Sequence, residues 1–321
     1  MSARAGDRSV RVLAPAKINA WLGVLARRAD GYHEIDTGML AVDLCDVVEA
    51  RAVPGRGGVR LSVDGPHASA DVPSDQSNLA YAAASAALAL AARDGSVATD
   101  LGVDLRLTKH VPSQAGLGGG SSDAAAALLA VERACEFQLD SSRAHEMLAA
   151  LGSDCVFFRA AASTGFARCT GRGEIVAPLP AVDRAWNIAL ITPRVAAPTA
   201  AVYGALAGLL IKPSTPLIVR PDVFDLGEAA ARNSLFNRLE DAALALLPEL
   251  RAWRALFDAN AASHFRLSGS GASFFGLFRE RELAAASLER LLAAATSRGL
   301  PSRGAWVLHP AAHGACESAP V

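Results

Sequence analysis

The chain has 321 residues, 51% of them hydrophobic, and its 31 basic and 32 acidic residues give a formal net charge of −1. This apolar content excludes a disordered chain and allows one large globular unit or two packed domains. The balanced charge provides no basic surface for a nucleic-acid backbone or an anionic membrane, so we expect a small-molecule substrate and neither of those partners.

The five cysteines are scattered and form no C-x-x-C pair. This usage favours thiols in a reducing compartment over a disulfide framework or a zinc site. Residues 1–11 contain no apolar signal-peptide core, and no run of 18 apolar residues occurs. We therefore expect no secretory signal or membrane span, and a cytoplasmic location.

The sequence of the first half of the chain predicts a β-rich start, then a packed helix, and then a strand, a glycine loop and a second helix in series. Apolar runs over residues 10–13, 19–25 and 39–44, with a polar turn at 27–33, indicate an antiparallel β-rich start. The alanine-rich residues 79–92 predict a packed helix. Strict alternation over 103–108 predicts a half-buried strand. A glycine run and a helical stretch to about Cys135 follow it.

The second half predicts a separate domain. A glycine turn at 170–173 precedes a buried strand over 186–191, which places a domain boundary near residue 178. Further predicted elements are a helix around 233–247, a strand–glycine turn–strand over 265–278, a helix over about 280–296, and a final strand near Trp306.

The strongest motif is the glycine loop, residues 116–120, which is followed by Ser121 and Ser122. Glycines permit positive φ and let backbone N–H groups converge on phosphate oxygens, and the following helix offers its positive end. The serine hydroxyls could cap that helix or reach a phosphate or its Mg²⁺. The alternative is an ordinary flexible loop, which would not need so many glycines.

Two common nucleotide motifs are excluded at this loop. A P-loop needs a lysine where Gly120 stands, and a dinucleotide fingerprint needs a glycine where Ser121 stands. Neither a zinc-protease helix nor a hydrolase nucleophile elbow occurs elsewhere in the sequence.

Taken together, the motifs resemble the GHMP kinases over nearly the whole chain. The glycine loop is similar to their central motif, residues 15–19 (PAKIN) to the first, and residues 267–273 (LSGSGAS) to the third. Residues 27–33 (RRADGYH) and 171–174 (GRGE) resemble one family among them, the 4-diphosphocytidyl-2-C-methyl-D-erythritol kinases.

The resemblance implies an α+β, two-domain GHMP kinase fold. Residues 1–178 would form a ribosomal protein S5 domain 2-like N-terminal domain and residues 179–321 a ferredoxin-like C-terminal domain. It implies ATP and Mg²⁺ as cofactors and a cytidine diphosphate-linked methylerythritol as substrate, phosphorylated on its 2-hydroxyl in the non-mevalonate isoprenoid pathway. We expect a monomer or a weak homodimer.

The resemblance also implies the roles of individual residues. Asp154 would take the proton from the accepting hydroxyl, and Lys17 would orient that hydroxyl and offset charge on the transferred phosphoryl group. Taken alone, the aspartate could equally be a helix cap or half of a structural ion pair, and the lysine a solvated surface residue.

For the substrate, Tyr32 and His33 would bind the cytidine and Tyr203 would sandwich the cytosine with Tyr32, as aromatic rings grip unpaired bases. The remaining implied substrate residues are Asn19, Asp154, Thr199, Gly269, Ser270 and Gly271. The implied nucleotide-binding residues are Asn78, Leu79, Lys109, Pro112, Gly116, Leu117, Gly118, Gly119, Gly120, Ser121 and Ser122.

Three departures from the family pattern stand out. Cys155-Val156 replaces a small or apolar residue followed by proline, Arg238 replaces an acid in the 237–240 segment, and Ser113-Gln114 replaces glycine or small residues.

Two rival functions stay open at this point: a sister kinase acting on homoserine, mevalonate or a sugar, and a catalytically silent ligand-binding protein.

Overall fold

The computed structural model describes residues 9–208 and 219–317. The strands are β1 (Ser9–Arg27), β2 (His33–Val53), β3 (Gly58–Asp64), β4 (Gly102–Thr108), β5 (Phe166–Gly171), β6 (Ile175–Pro178), β7 (Asn187–Pro193), β8 (Phe236–Asn237), β9 (Arg266–Leu267), β10 (Phe274–Phe278), β11 (Ser302–Leu308) and β12 (Cys316–Glu317). The helices are α1 (Leu79–Arg93), α2 (Gly119–Ala134), α3 (Ser141–Leu151), α4 (Ser153–Ala160), α5 (Thr199–Gly208), α6 (Glu228–Ser234), α7 (Glu240–Leu246), α8 (Pro248–Ala259) and α9 (Arg281–Ser297), with a short 3₁₀ turn at Val223–Asp225.

Two long antiparallel strands form the spine of the first sheet. The apolar runs predicted separately at 10–13 and 19–25 belong to the single strand β1, which pairs with β2 along its length. The register shifts at three points, one of them directly after Pro15. Because a β-bulge accommodates a residue that cannot donate to the ladder, the proline does not end the strand.

The first sheet branches along β2. Its C-terminal part pairs with β4, its N-terminal part with β5, and the main strand order is β12-β1-β2-β4-β3. Strands β8 and β12 come late in the chain and still pair with β1. The first sheet is therefore completed by segments from both halves of the sequence.

Alanine-rich helices cover the first sheet. Helix α1 begins after Asn78, whose side chain accepts a hydrogen bond from the Ala80 N–H at 2.9 Å. Helices α1 and α2 bury alanines against each other and against the sheet, and small side chains let their backbones approach closely. This packing fixes the start of α2, where the glycine loop lies.

The second sheet has the antiparallel order β11-β7-β10-β9. Strand β7 is buried along its whole length, and aromatic residues such as Trp253 and Phe257 of α8 pack in the core beside it. The sheet-and-helix composition of both halves confirms the predicted α+β class. The boundary at residue 178 stays a prediction.

The helix predicted around 233–247 is confirmed only over α7, and its first part is interrupted. The chain leaves α6 after Ser234, adds the short strand β8 to the first sheet, and begins α7 at Glu240. The reason is a contact between residues distant in sequence, because the Asn237 side chain donates to the Leu267 and Gly269 carbonyl oxygens at 2.8 and 2.7 Å. These bonds require a non-helical backbone there.

A shared apolar core joins the two sheets. It contains Ile18 and Trp21 from β1 together with Leu190 from β7 and Phe275 from β10, all fully buried or nearly so. This core packs the two sheets directly against each other. Within the described ranges, no helix combines the length and hydrophobicity needed to cross a membrane.

Candidate active site

A cavity of about 1030 Å³ lies where the glycine loop, β1, the start of α4 and residues 269–270 meet. This volume is at the upper end of ordinary ligand pockets and is large for a single small molecule. All residues predicted for the site line it except Ser122 and Gly271. Residues from both sheets thus come together as the sequence motifs predicted.

Lys17 and Asp154 meet at one end of this cavity. The Lys17 Nζ atom donates to Asn19 Oδ1 at 2.7 Å and lies 3.5 Å from Asp154 Oδ2. The lysine side chain is 5% exposed, whereas the aspartate side chain is 30% exposed. A buried cation therefore faces a carboxylate that a substrate in the cavity can reach.

The glycine loop packs directly on Lys17. The Lys17 N–H donates to the Leu117 carbonyl oxygen at 2.9 Å. Gly118 has φ +68°, and a Cβ there would lie 3.0 Å from Lys17 Cγ. Glycine is required at this position both for the left-handed backbone and for the close approach to the lysine.

Asp154 owes its position to the start of α4. It is the second residue of that helix, after Ser153, and Gly152 occupies the cap position. A carboxylate in the first turn is favoured by the partial positive charge of the helix N-terminus. Cys155, one of the departures, points into the core, and burial raises the pKa of its thiol to about 12. The thiol therefore serves as an apolar core group, and the carboxylate keeps its place.

The start of α2 presents backbone N–H groups to the cavity. Gly118 precedes the helix, and no side chain caps its first turn. Of the serine pair only Ser121 lines the cavity. Ser122 is fully buried, and its hydroxyl has no hydrogen-bond partner among the residues that the structure describes. The Ser122 hydroxyl is thus shielded from the cavity, and a contact between Ser122 and a phosphate stays a prediction.

The glycine loop and residues 267–273 lock together. Ser268 Oγ donates to the Gly116 carbonyl oxygen at 3.0 Å, and a Cβ on Gly116 would lie 2.1 Å from the Ser268 carbonyl oxygen. Gly269 in turn approaches Lys17, with a Cβ position 3.2 Å from Nζ. Gly271 does not line the cavity. Its N–H closes the turn on the Ser268 carbonyl oxygen at 2.9 Å.

The segment 237–240 holds this turn in place. Besides the bonds from Asn237, the Glu240 carboxylate accepts the Leu267 N–H at 2.9 Å. Arg238, the second departure, contributes its backbone N–H to the Leu22 carbonyl oxygen at 2.9 Å. The exchange of acid for base at this position leaves the supporting contacts of its neighbours intact.

At the third departure, Gln114 has φ +48°. This is the left-handed region that favours glycine. Glycine, which is common at this place in the family pattern, would relieve that conformation. Gln114 and Ser113 both line the cavity, and Arg303 donates to the Ser113 carbonyl oxygen at 2.7 Å.

Lys109 and Asn78 have structural contacts beside their predicted nucleotide role. The Lys109 ammonium forms buried ion pairs with Asp46 and Asp123, and a Cβ on Gly119 would lie 3.4 Å from its Nζ. Burial raises the pKa of Asp123 to about 8, with Lys109 opposing and Asp46 adding to the rise. The Asn78 side chain caps α1. Both residues line the cavity from beneath the loop, and their direct contact with a nucleotide stays a prediction.

The predicted base clamp comprises Tyr32, His33 and Tyr203. Tyr203 stacks on His33 with ring centroids 5.1 Å apart, whereas the exposed Tyr32 carries the Arg172 guanidinium 4.8 Å from its ring centroid. Burial, and the neighbouring Arg27, lower the pKa of His33. The cytosine sandwich between Tyr32 and Tyr203 stays a prediction, and the observed stacking partners are His33 and Arg172.

Thr199 links this end of the cavity to the turn at 267–273. Its hydroxyl lies 3.0 Å from Ser270 Oγ, and both residues line the cavity. Thr199 begins α5, four residues before Tyr203. One helix therefore carries both the clamp tyrosine and a contact to the third motif.

Some site residues had no role assigned from the sequence. Thr37 accepts a hydrogen bond from the Asn19 side chain across the β1–β2 pairing. Arg172 lies over the Tyr32 ring, a contact that its GRGE motif did not predict. The bond to Thr37 joins residues 18 positions apart and depends on strand register. A contact of this kind leaves no local pattern in the sequence.

The described ranges contain no group of three or more histidine, cysteine, aspartate or glutamate side chains that could hold a metal ion.

Family patterns match both halves of the chain. The pattern described as "GHMP kinases N terminal domain" matches residues 78–161, and that described as "GHMP kinases C terminal" matches residues 214–295. The first covers the glycine loop and Asp154, and the second covers the turn at 267–273.

Relatives are similar over most of the chain. A protein of Desulfotalea psychrophila named 4-diphosphocytidyl-2-C-methyl-D-erythritol kinase is 36% identical over 83% of this chain and 84% of its own length. One of the same name from Syntrophomonas wolfei is 33% identical over 88% of this chain and 94% of its own.

Solved structures show the same fold. The crystal structure of a 4-(cytidine 5'-diphospho)-2C-methyl-D-erythritol kinase has a TM-score of 0.67 at 32% identity and covers 94% of this chain and 100% of its own. A homoserine kinase from Cytophaga hutchinsonii has a TM-score of 0.70 at 18% identity, with 99% of each chain covered. At that identity the second likeness shows the fold alone.

Proposed function

Since the chain belongs to the 4-diphosphocytidyl-2-C-methyl-D-erythritol kinases, a family of GHMP kinases, we propose that its cavity binds ATP and the cytidylyl substrate side by side. Lys17 and Asp154 then catalyse the phosphoryl transfer between them. The enzyme transfers the γ-phosphoryl group of ATP to the 2-hydroxyl of 4-diphosphocytidyl-2-C-methyl-D-erythritol, a step of the non-mevalonate isoprenoid pathway. The rivals on homoserine, mevalonate or sugars are not favoured, because the structures of the homoserine and mevalonate kinases found are 18% identical or less.

Asp154 acts as the general base in this proposal. Its carboxylate is partly exposed to the cavity and fixed by the start of α4. It accepts the proton of the substrate hydroxyl as the oxygen attacks the γ-phosphorus, and the bond from that phosphorus to the β,γ-bridging oxygen breaks to leave ADP. Positioned carboxylates of this kind contribute about 10²–10⁴-fold to a rate.

Lys17 stabilises the transferred group. An ammonium has three N–H donors, of which one goes to Asn19 and another faces Asp154. Among the described residues no hydrogen-bond partner occupies the third, which can interact with the substrate hydroxyl or the phosphoryl oxygens. Because the side chain is buried, its charge acts with little screening by water.

The glycine loop and the first turn of α2 hold the phosphates of ATP. Two observations support this role: the uncapped N-terminus of a 16-residue helix, and the glycines that bring its backbone against the cavity. Mg²⁺ bound to the ATP phosphates would neutralise charge in the transfer, with Ser121 as the nearby hydroxyl from the loop. Adenine is assigned to the side of the cavity lined by Asn78 and Leu79.

Tyr32, His33 and Tyr203 select the cytidylyl group. They line the cavity together with Asp154, so one bound substrate can contact both the clamp residues and the general base Asp154. A sister kinase with a small acceptor would have no use for such a clamp. A cytoplasmic location and a monomeric or weakly dimeric state complete the proposal.

One observation carries the proposal: the pair of Lys17 and Asp154, 3.5 Å apart, lies in the same cavity as the glycine loop and the clamp. ADP release from Mg-ATP, measured in parallel with the cytidylyl substrate, homoserine, mevalonate and galactose, tests it. We expect turnover with the cytidylyl substrate alone and competitive inhibition by CDP against that substrate. Turnover with another acceptor would refute the clamp, and nucleotide binding without any turnover would favour the silent binding protein.

A further inference from the structure

A buried hydrogen-bond chain runs behind Lys17. Lys17 Nζ donates to Asn19 Oδ1 at 2.7 Å, Asn19 Nδ2 donates to Thr37 Oγ1 at 2.8 Å, and Thr37 Oγ1 donates to the Trp21 carbonyl oxygen at 2.6 Å. As whole residues, Lys17, Asn19 and Thr37 are 4%, 1% and 0% exposed, so this hydrogen-bond chain is shielded from bulk water.

The direction of every bond in this chain is forced by its two ends. An ammonium can only donate, and a backbone carbonyl can only accept. The hydroxyl of Thr37 must therefore spend its single proton on Trp21 and accept from the amide of Asn19. The amide must then turn its oxygen toward Lys17.

We propose that Thr37 is a positioning residue for phosphoryl transfer, acting through Asn19 to hold the Lys17 ammonium against Asp154. This inference rests on the proposed function. Without the hydroxyl, the buried Asn19 Nδ2 group loses its acceptor, and the cost of that unpaired donor drives the side chain toward another rotamer, which withdraws the Oδ1 acceptor from Lys17. Lys17 would then leave its place beside Asp154.

The site leaves few alternatives for Lys17. The glycine loop packs along its stem, where a Cβ on Gly118 would lie 3.0 Å from Cγ, and Gly269 closes over its Nζ. These contacts confine Lys17 to a small displacement, and at the reacting atoms a misplacement of about 1 Å can cost on the order of 10²-fold in rate. Thr37 itself does not line the cavity.

The experiment compares Thr37→Val, which keeps the shape and removes the hydroxyl, with Thr37→Ser, which keeps the hydroxyl. We expect Thr37→Val to lower kcat by about 10²-fold while the KM for ATP is unchanged, and Thr37→Ser to retain most of the wild-type kcat. Thr37→Cys, with a weaker hydrogen-bonding group in a smaller volume, gives a second measurement if the valine variant does not fold.

Thr164→Val is the matched control. The Thr164 hydroxyl donates to the Phe166 carbonyl oxygen at 3.0 Å and Thr164 does not line the cavity, so its replacement should lower the melting temperature while kcat is kept. Combining Thr37→Val with Lys17→Met tests the route of action. If Thr37 acts through Lys17, adding Thr37→Val to the Lys17→Met variant lowers kcat no further.

Three results would overturn the inference: wild-type kcat in Thr37→Val, equal losses in Thr37→Val and Thr37→Ser, or losses that multiply with Lys17→Met. All are measured relative to the wild type on the cytidylyl substrate. Failure of the wild type to turn over would instead refute the proposed function.

Discussion

Replacing Asp154 by asparagine removes the carboxylate charge and leaves the shape of the side chain almost unchanged. Loss of a positioned general base lowers turnover by about 10²–10⁴-fold. Since each factor of ten corresponds to about 1.4 kcal/mol, this raises the activation barrier by about 3–5.5 kcal/mol.

The structure predicts that the fold survives this change. The change leaves the buried Lys17 ammonium without its anionic partner, which costs about 3–5 kcal/mol when both groups are buried and less here, because the Asp154 side chain is 30% exposed and an asparagine oxygen can still accept from Lys17. The favourable position of the charge at the start of α4 adds about 0.3–1 kcal/mol. Because kcat is measured on the folded protein, the loss of turnover is separable from this loss of stability.

Steady-state ADP release at saturating Mg-ATP and cytidylyl substrate gives kcat, and calorimetric titration gives the dissociation constant of each substrate. Asp140→Asn is the matched control, because Asp140 caps the preceding helix α3 and lies outside the cavity. We expect Asp154→Asn to bind both substrates and lose turnover, and Asp140→Asn to keep it. The reasoning fails if Asp154→Asn turns over at the wild-type rate, or if substrate binding falls by the same factor as kcat.

Tyr203→Ala should raise the KM for the cytidylyl substrate by about 10- to 100-fold, because one base–aromatic stack is worth about 1–3 kcal/mol. The KM for ATP should not change, and an equal effect on both constants in steady-state kinetics would argue against the clamp. Gly116→Ala places a Cβ at φ +74° and 2.1 Å from the Ser268 carbonyl oxygen. It should lower the free energy of unfolding in urea by about 1–3 kcal/mol, and unchanged stability would count against the locked contact. Burial, aided by nearby arginines, lowers the pKa of His264 from 6.5 to about 4. The unfolded chain then binds more protons in this window, so the melting temperature should fall as the pH drops from about 6.5 to about 4, and His264→Gln should flatten that slope.

Local patterns predicted the parts of the site that are continuous in sequence. The alternation at 103–108 and the glycine loop gave β4 and the start of α2, and the turn at 267–273 lies between β9 and β10 as expected. Glycine at position 118 is needed for backbone and packing reasons, which is why the motif is visible in the sequence at all.

Contacts between distant residues could not be predicted in this way. The pairing of Lys17 with Asp154 rested on family resemblance, since the two residues are brought together by sheet and helix packing. Thr37 gave no signal, because its role depends on the register of β1 and β2. The first part of the helix predicted at 233–247 is interrupted for the same reason, since Asn237 bonds to a turn 30 residues away.

The identity of the phosphorylated product tests the central claim most directly. Phosphorus-31 NMR of the products formed from Mg-ATP and 4-diphosphocytidyl-2-C-methyl-D-erythritol should show ADP and one new phosphomonoester on the 2-oxygen, with the diphosphate bridge intact. Formation of ADP with free phosphate, or a phosphomonoester on a different oxygen, would contradict the account.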